Sequence, residues 1–221
     1  MTGRMRIDPA GYVFVGGAAV PGAVLVLLGF TAFGAVLLVL AAFFLFFFRD
    51  PDRSATLGPD DVVSPADGRV MVAGAPETGV APAGDWQQIS IFLSPLDVHV
   101  NRIPVAGVVT KVEYHPGKFL PAYKAEAARD NERNEVWIDR GGQLVVCRQV
   151  VGVLARRIVC RVAAGARVVA GQRFGVMKFG SRIDVYVPPG TTLRVTPGER
   201  VRSGESVLAV LPPAAAGGAR R

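Results

Sequence analysis

The chain has 221 residues, half of them apolar, with a mean hydropathy of +0.34, a net charge of +7 and a pI near 10.0. Two cysteines without a Cys-x-x-Cys spacing, and only two histidines, argue against a zinc module or a disulfide framework. The basic residues are dispersed among Gly and Val with no aromatic-interleaved stripe, which argues against a nucleic-acid partner.

Residues 9–48 carry no charge. As one helix they would span about 60 Å, about twice a hydrocarbon core of ~30 Å. Pro21-Gly22 and the stretch from Gly29 to Gly34 offer breaks, so residues 1–50 are predicted to form an apolar helical hairpin that anchors the chain to a membrane. Arg4 and Arg6 flank one end, and Arg49 and Arg53 the other. Arginine-rich flanks stay cytoplasmic, so both ends are expected on that side of the cell membrane, with the catalytic domain. A signal peptide fits less well, because the stretch is too long and lacks a small-residue cleavage site. An anionic membrane surface is the economical partner for the positive charge, beside the plain reading of a solvated basic surface.

Beyond Asp60 the pattern turns to strands. Gln88–Leu93, Gly107–Tyr114, Asn134–Asp139 and Gln143–Cys147 are short, β-branched and punctuated by Gly and Pro. Lys124–Arg133 reads equally as a short helix or a loop. Cys147 and Cys160 lie in Val-rich runs and read as buried thiols in a reducing compartment. Gly165-Ala-Arg-Val-Val-Ala-Gly171-Gln-Arg-Phe174 matches Gly198-Glu-Arg-Val-Arg-Ser-Gly204-Glu-Ser-Val207, and Pro65–Val70 is echoed by Pro104–Thr110. Such repeats predict a mainly β fold: a barrel-sandwich core of the lipoyl/biotinyl kind over residues 51–211, each half covering the other's apolar face. The tail, 212–221, is expected to be disordered.

Several residues carry candidate chemistry. Ser64-Pro-Ala-Asp67-Gly68 puts a carboxylate in a tight turn, where Asp before Gly is ordinarily turn chemistry. In Ser94-Pro-Leu-Asp97-Val-His99-Val-Asn101-Arg102, alternation predicts that Asp97, His99 and Asn101 share one side of a strand. His99 is the candidate base, although a lone strand histidine is more often structural. His115, in Tyr114-His-Pro-Gly-Lys118, reads as a turn residue. Asn131-Glu-Arg-Asn-Glu135 is either a solvated loop or an anion-holding cluster built on Arg133. Gly180-Ser181 precedes the alternating strand Arg182–Val187. Glycine tolerates a strained backbone there, so the serine hydroxyl can reach the preceding carbonyl, exchange the amide for an ester and, after elimination and hydrolysis, leave a pyruvoyl group.

Taken in order, Phe47-Phe-Arg-Asp-Pro51, Ser64-Pro-Ala-Asp-Gly68, Ser94–His99, Tyr114-His-Pro-Gly-Lys-Phe119, Asn131–Asn134 and Gly175-Val-Met-Lys-Phe-Gly-Ser181 resemble the short, membrane-attached phosphatidylserine decarboxylase proenzymes across nearly the whole chain. The resemblance implies serinolysis at Gly180–Ser181, giving a β chain of 1–180 and an α chain of 181–221 that stay together as a heterodimer. It implies a covalent pyruvoyl cofactor derived from Ser181, with Asp67 and His99 serving self-processing. It also implies a phospholipid substrate, bound as a Schiff base and decarboxylated to phosphatidylethanolamine; Arg133 and His115 are the candidate substrate-binding residues, and no metal is expected. Longer members carry Thr after Gly-Ser, where Arg182 stands here, and a second histidine near Arg102. Two other readings compete. Val176-Met-Lys178-Phe resembles the modified hairpin of biotin carriers, with Lys178 as the acceptor, and a pyruvoyl decarboxylase of a soluble amino acid would lack a use for the hairpin.

Overall fold

A computed structural model describes residues 5–153, 158–178 and 180–213. Arg4, Phe179 and nearly all of the tail expected to be disordered therefore lie outside the described residues. The chain opens with β1 (Met5–Ile7), a 3-10 turn at Pro9–Gly11, and helices α1 (Tyr12–Leu27) and α2 (Thr31–Phe47). Strands β2 (Arg49–Pro51), β3 (Asp61–Val63), β4 (Gly68–Gly74), β5 (Gln87–Leu93), β6 (Val100–Arg102) and β7 (Gly107–His115) follow. After helix α3 (Ala125–Asp130) come β8 (Arg133–Arg140), β9 (Gln143–Val150), β10 (Ile158–Cys160), β11 (Arg167–Val168) and β12 (Arg173–Met177). The last strands are β13 (Ser181–Val187), β14 (Thr192–Leu193), β15 (Arg200–Val201) and β16 (Val207–Val210).

The fold is mainly β, as expected. An antiparallel eight-stranded sheet runs β11-β7-β8-β9-β13-β5-β4-β15, with two three-stranded sheets, β10-β12-β6 and β14-β16-β3. The sequence repeat falls on equivalent places. β11 pairs with β7 through Arg167↔Val108 and Val168↔Gly107; β15 pairs with β4 through Arg200↔Arg69 and Val201↔Gly68. Gly165 and Gly198 each turn the chain at positive φ (88° and 97°), a region that favours glycine, and donate to Val109 and Val70 carbonyls. Between the sheets lies one buried cluster that includes Ile89, Ile91, Ile103, Val136, Val145, Phe174, Met177, Ile183 and Leu208. Cys147 belongs to it, and burial pushes its thiol pKa up; Cys160 is only half-buried.

Of the two breaks that the sequence offers, the helical hairpin uses the one at Gly29. Pro21 sits inside α1, and the turn is made at Leu28–Phe30, with Gly29 at φ 88°. Gly22 and Gly34 are contact points instead: a Cβ on Gly34 would lie 2.7 Å from the Gly22 carbonyl oxygen. Small residues of this kind let two helix backbones touch without a side chain between them. The outer surface stays apolar and open, with Val13, Leu27 and Phe33 all exposed. The stretch Pro9–Leu27 is long and apolar enough to cross a membrane and Thr31–Phe47 is shorter, which suggests membrane association.

The foot of the hairpin is built into the β domain. β1 pairs with β2, and Phe47 and Phe48 pack with Val98, Val100 and Val176. Arg161 grips Asp8 with two hydrogen bonds of 2.7 and 2.8 Å. Arg102 donates to Asp50, to the Pro51 carbonyl and to the Gly171 carbonyl, and so ties the hairpin to the sheet.

Candidate functional site

Ser181 is the first residue of β13 and pairs with Leu93 of β5. It is completely buried, and its hydroxyl has no hydrogen-bond partner. A buried hydroxyl is ordinarily satisfied, so an orphaned one marks a position held for another purpose. Gly180, just before it, takes φ 69°, the left-handed region where side chains are strained.

His99 is not on a strand face with Asp97. Ser94–Asp97 forms a turn: the Asp97 amide donates to the Ser94 carbonyl (3.0 Å), and the Asp97 carboxylate accepts from the Ser94 amide (2.8 Å). β6 starts only at Val100. Pro95 and a carboxylate able to bond the backbone within its own turn override the alternation. The turn aims the Ser94 carbonyl at His99 Nε2, 3.1 Å away. A carbonyl can only accept, so the Ser94 contact favours the tautomer with the proton on Nε2 and a lone pair on Nδ1, with the Met177 backbone also acting on the ring. Nδ1 is buried and has no hydrogen-bond partner. The ring stacks on Phe47 with centroids 4.1 Å apart and planes 22° apart. Burial pushes the His99 pKa down to about 4, against the opposing pull of the Ser94 carbonyl and the Asp97 charge, so the imidazole is neutral at pH 7.

Asp67 lies in the turn between β3 and β4. Its carboxylate accepts from Arg53 (2.9 Å) and from the Ser203 amide (2.8 Å), and Arg53 also binds Glu205 (2.9 Å). Burial raises its pKa, opposed by the Ser203 amide and by Arg53. The carboxylate felt by His99 is Asp97 rather than Asp67. Among the described residues no hydrogen bond joins Ser181, His99 and Asp67 to one another. Asn101, also expected beside His99, accepts from the Gln149 side chain (2.8 Å).

The structure adds Arg49, which the sequence offered only as a membrane flank. Its guanidinium donates to the Phe46 carbonyl (2.8 Å) and the Leu96 carbonyl (2.7 Å), and covers the Phe46 ring at 3.9 Å. It thereby fastens the end of α2 to the Ser94–Asp97 turn. Its partner Leu96 is 47 positions away, beyond any local pattern.

The model of the phosphatidylserine decarboxylase family matches residues 40–209. The chain belongs to that family. A phosphatidylserine decarboxylase proenzyme of Symbiobacterium thermophilum is 48% identical over 210 residues, 95% of this chain and 97% of the relative. Another, from Solibacter usitatus, is 42% identical over 205 residues, covering 93% and 97% of the two chains. A third, from Chlorobium phaeovibrioides, is 45% identical over 188 residues, 84% of each.

In this family member His115 and Arg133 come together in the row of the sheet that continues through Val150 to Arg182, the residue after Ser181. His115 ends β7 instead of lying in a turn, and Arg133 opens β8 opposite it. Both line an outer cleft of about 370 Å³ with Lys111, Glu113, Arg129 and Arg148. Glu113, His115 and Glu135 are spaced closely enough to hold a metal ion. Glu135, however, already accepts from Arg148 (2.9 Å) and Trp137 (3.1 Å), and Glu113 faces Lys111 at 2.5 Å. Asn131, from the same motif, is a clamp: it accepts from the Leu120 amide and donates to the Leu120 and Val151 carbonyls, at 2.8–2.9 Å. Arg182 is buried against Asp184, Ser90 and Glu77. Lys178, the acceptor in the carrier reading, lies over the Phe14 ring at 4.7 Å, against the hairpin foot.

Proposed function

We propose that the chain is made as a precursor, cuts itself at Gly180–Ser181, and then decarboxylates phosphatidylserine to phosphatidylethanolamine at a membrane surface. The observation that carries this is the buried, unpartnered Ser181 hydroxyl beside a left-handed glycine, in a chain whose relatives bear the name proenzyme. The hydroxyl oxygen attacks the Gly180 carbonyl carbon. The C–N bond breaks, leaving an ester and a free amine on residue 181. Loss of the Cα proton expels the Gly180 carboxylate, and water then replaces the nitrogen, released as ammonia. The 1–180 and 181–221 chains remain associated because β13 is paired on both sides, with β5 and β9.

The residues present suit this. His99 Nδ1, neutral and unpartnered, is assigned the role of base for the Ser181 proton, a contribution of roughly 10²–10⁴ in rate. Asp67 holds the Arg53–Ser203 side of the site in place. A pyruvoyl group at residue 181 would supply an electrophilic carbonyl that takes up the electron pair left by departing CO2, the task otherwise done by pyridoxal phosphate. The apolar hairpin suits a substrate whose acyl chains, at ~0.8 kcal/mol per buried CH2, hold it in the bilayer. The β domain is assigned to the cytoplasmic side, since Arg6, Arg49 and Arg53 flank the hairpin and positive flanks favour that side. The Arg133–His115 cleft is assigned to the anionic headgroup. Intact mass is the test: the wild type gives two fragments, the smaller with a blocked N-terminus, and Ser181→Ala gives one inactive chain. A Ser181→Ala chain that still splits refutes the reading.

A further inference from the structure

Gly152 follows β9 and lies directly against the bond assigned to self-cleavage. A Cβ built on it would sit 2.0 Å from the Gly180 carbonyl oxygen, 3.0 Å from the carbonyl carbon and 3.4 Å from Ala122 Cβ. Carbon and carbonyl oxygen in non-bonded contact stay about 3.3 Å apart or more. Any side chain here therefore displaces that carbonyl or the segment carrying it.

The segment is not free to move aside. The Val151 amide donates to the Glu132 carbonyl (3.1 Å), and the Val151 carbonyl accepts from Asn131 (2.8 Å). Asn131 is itself fully buried and binds both backbone groups of Leu120, so it also fixes the loop that brings Ala122 against Gly152. On the other side, Ser181 is fixed by its pairing with Leu93. The Gly180 peptide is thus held between a pinned strand and a pinned glycine.

We propose that Gly152 is a positioning residue for self-cleavage: its bare backbone is the wall that sets the Gly180 carbonyl at the angle Ser181 Oγ needs. The inference rests on Gly180–Ser181 being the bond that is cut. In the step concerned, the Oγ–C bond forms, the C–N bond breaks, and the hydroxyl proton ends on the departing nitrogen. The carbonyl oxygen must hold one orientation while the carbon becomes tetrahedral. A methyl at 152 overlaps that oxygen by more than 1 Å, and a misplacement of that size costs roughly 100-fold in rate.

The experiment follows precursor disappearance by intact mass in the full chain. Rates are taken on the protease-resistant fraction, so that a lower folding yield does not enter them. Gly152→Ala should cleave about 100-fold more slowly, while Gly152→Ala/Ser181→Ala stays folded but melts below Ser181→Ala, as overpacking against a pinned carbonyl requires. Hydroxylamine splits an ester, so it should release no fragments from the slow variant, because the block precedes the acyl shift. Adding Ala122→Gly should leave cleavage slow. Cleavage at the wild-type rate, hydroxylamine-released fragments, or recovery with Ala122→Gly each overturns the proposal. A wild-type chain that never splits defeats the functional reading itself, which separates the two failures.

Discussion

Acid should unfold the uncut precursor through His99. The ring is about 1% exposed and its pKa is held near 4, against 6.5 for the ordinary group. The folded state takes up the proton less readily than the unfolded chain, so lowering the pH favours unfolding. The stabilisation is intact above pH 6.5, erodes below it, and is lost by about pH 4. The whole difference corresponds to about 3 kcal/mol, of which about 2 kcal/mol is gone at pH 5. The assay is urea unfolding of Ser181→Ala in detergent at pH 7.5 and pH 5, beside Ser181→Ala/His99→Gln, where the amide can still donate to Ser94 but does not titrate. Asp67 and Asp97 are common to both chains, so their contributions cancel. The first protein should lose about 2 kcal/mol more than the second. With only two histidines in the sequence, a selective NMR titration reads the same quantity directly. Equal acid sensitivity of the two proteins, or a His99 resonance titrating near 6.5, refutes the argument.

Arg182→Met strips the counter-charge from Asp184, which is fully buried, and should lower the stability of the Ser181→Ala precursor by about 3–5 kcal/mol in urea, with partial recovery on adding Asp184→Asn. A loss under about 1 kcal/mol would show that the pair contributes little. Gly34→Leu puts a side chain where a Cβ already meets Val26 at 2.5 Å. It should cost the hairpin about 1–3 kcal/mol, seen as faster amide exchange in α1 and α2 with β13 unaffected; unchanged exchange in the helices contradicts close packing at Gly22 and Gly34.

The repeat was legible because its signal is local: glycines six residues apart must turn the chain, and the apolar positions between them must face a core. The hairpin was legible for a similar reason, an uncharged run too long for one pass. Of its two candidate breaks Gly29 makes the turn, whereas Pro21 stays within α1, because an apolar environment tolerates proline inside a helix. The setting of His99 was not legible, because a Ser-x-x-Asp turn and two strand residues look alike under a period of two. Contacts that join distant stretches, such as Phe47 with His99, Arg49 with Leu96 or Gly152 with Gly180, leave no mark in either neighbourhood. His115 was read as a turn residue because Pro116-Gly117 follows it, yet pairing with Arg133 carries β7 through it.

Phe47 is at once the last residue of α2 and the floor beneath the His99 ring. Trimming the chain at Arg49 to obtain a soluble enzyme would therefore wet the imidazole and remove one side of its seat. A useful truncation would have to retain Phe43–Phe48 and, with them, the β1 strand that braces Arg49–Pro51. Solubility and an intact seat for His99 are competing aims in this molecule, because the hairpin supplies one side of it.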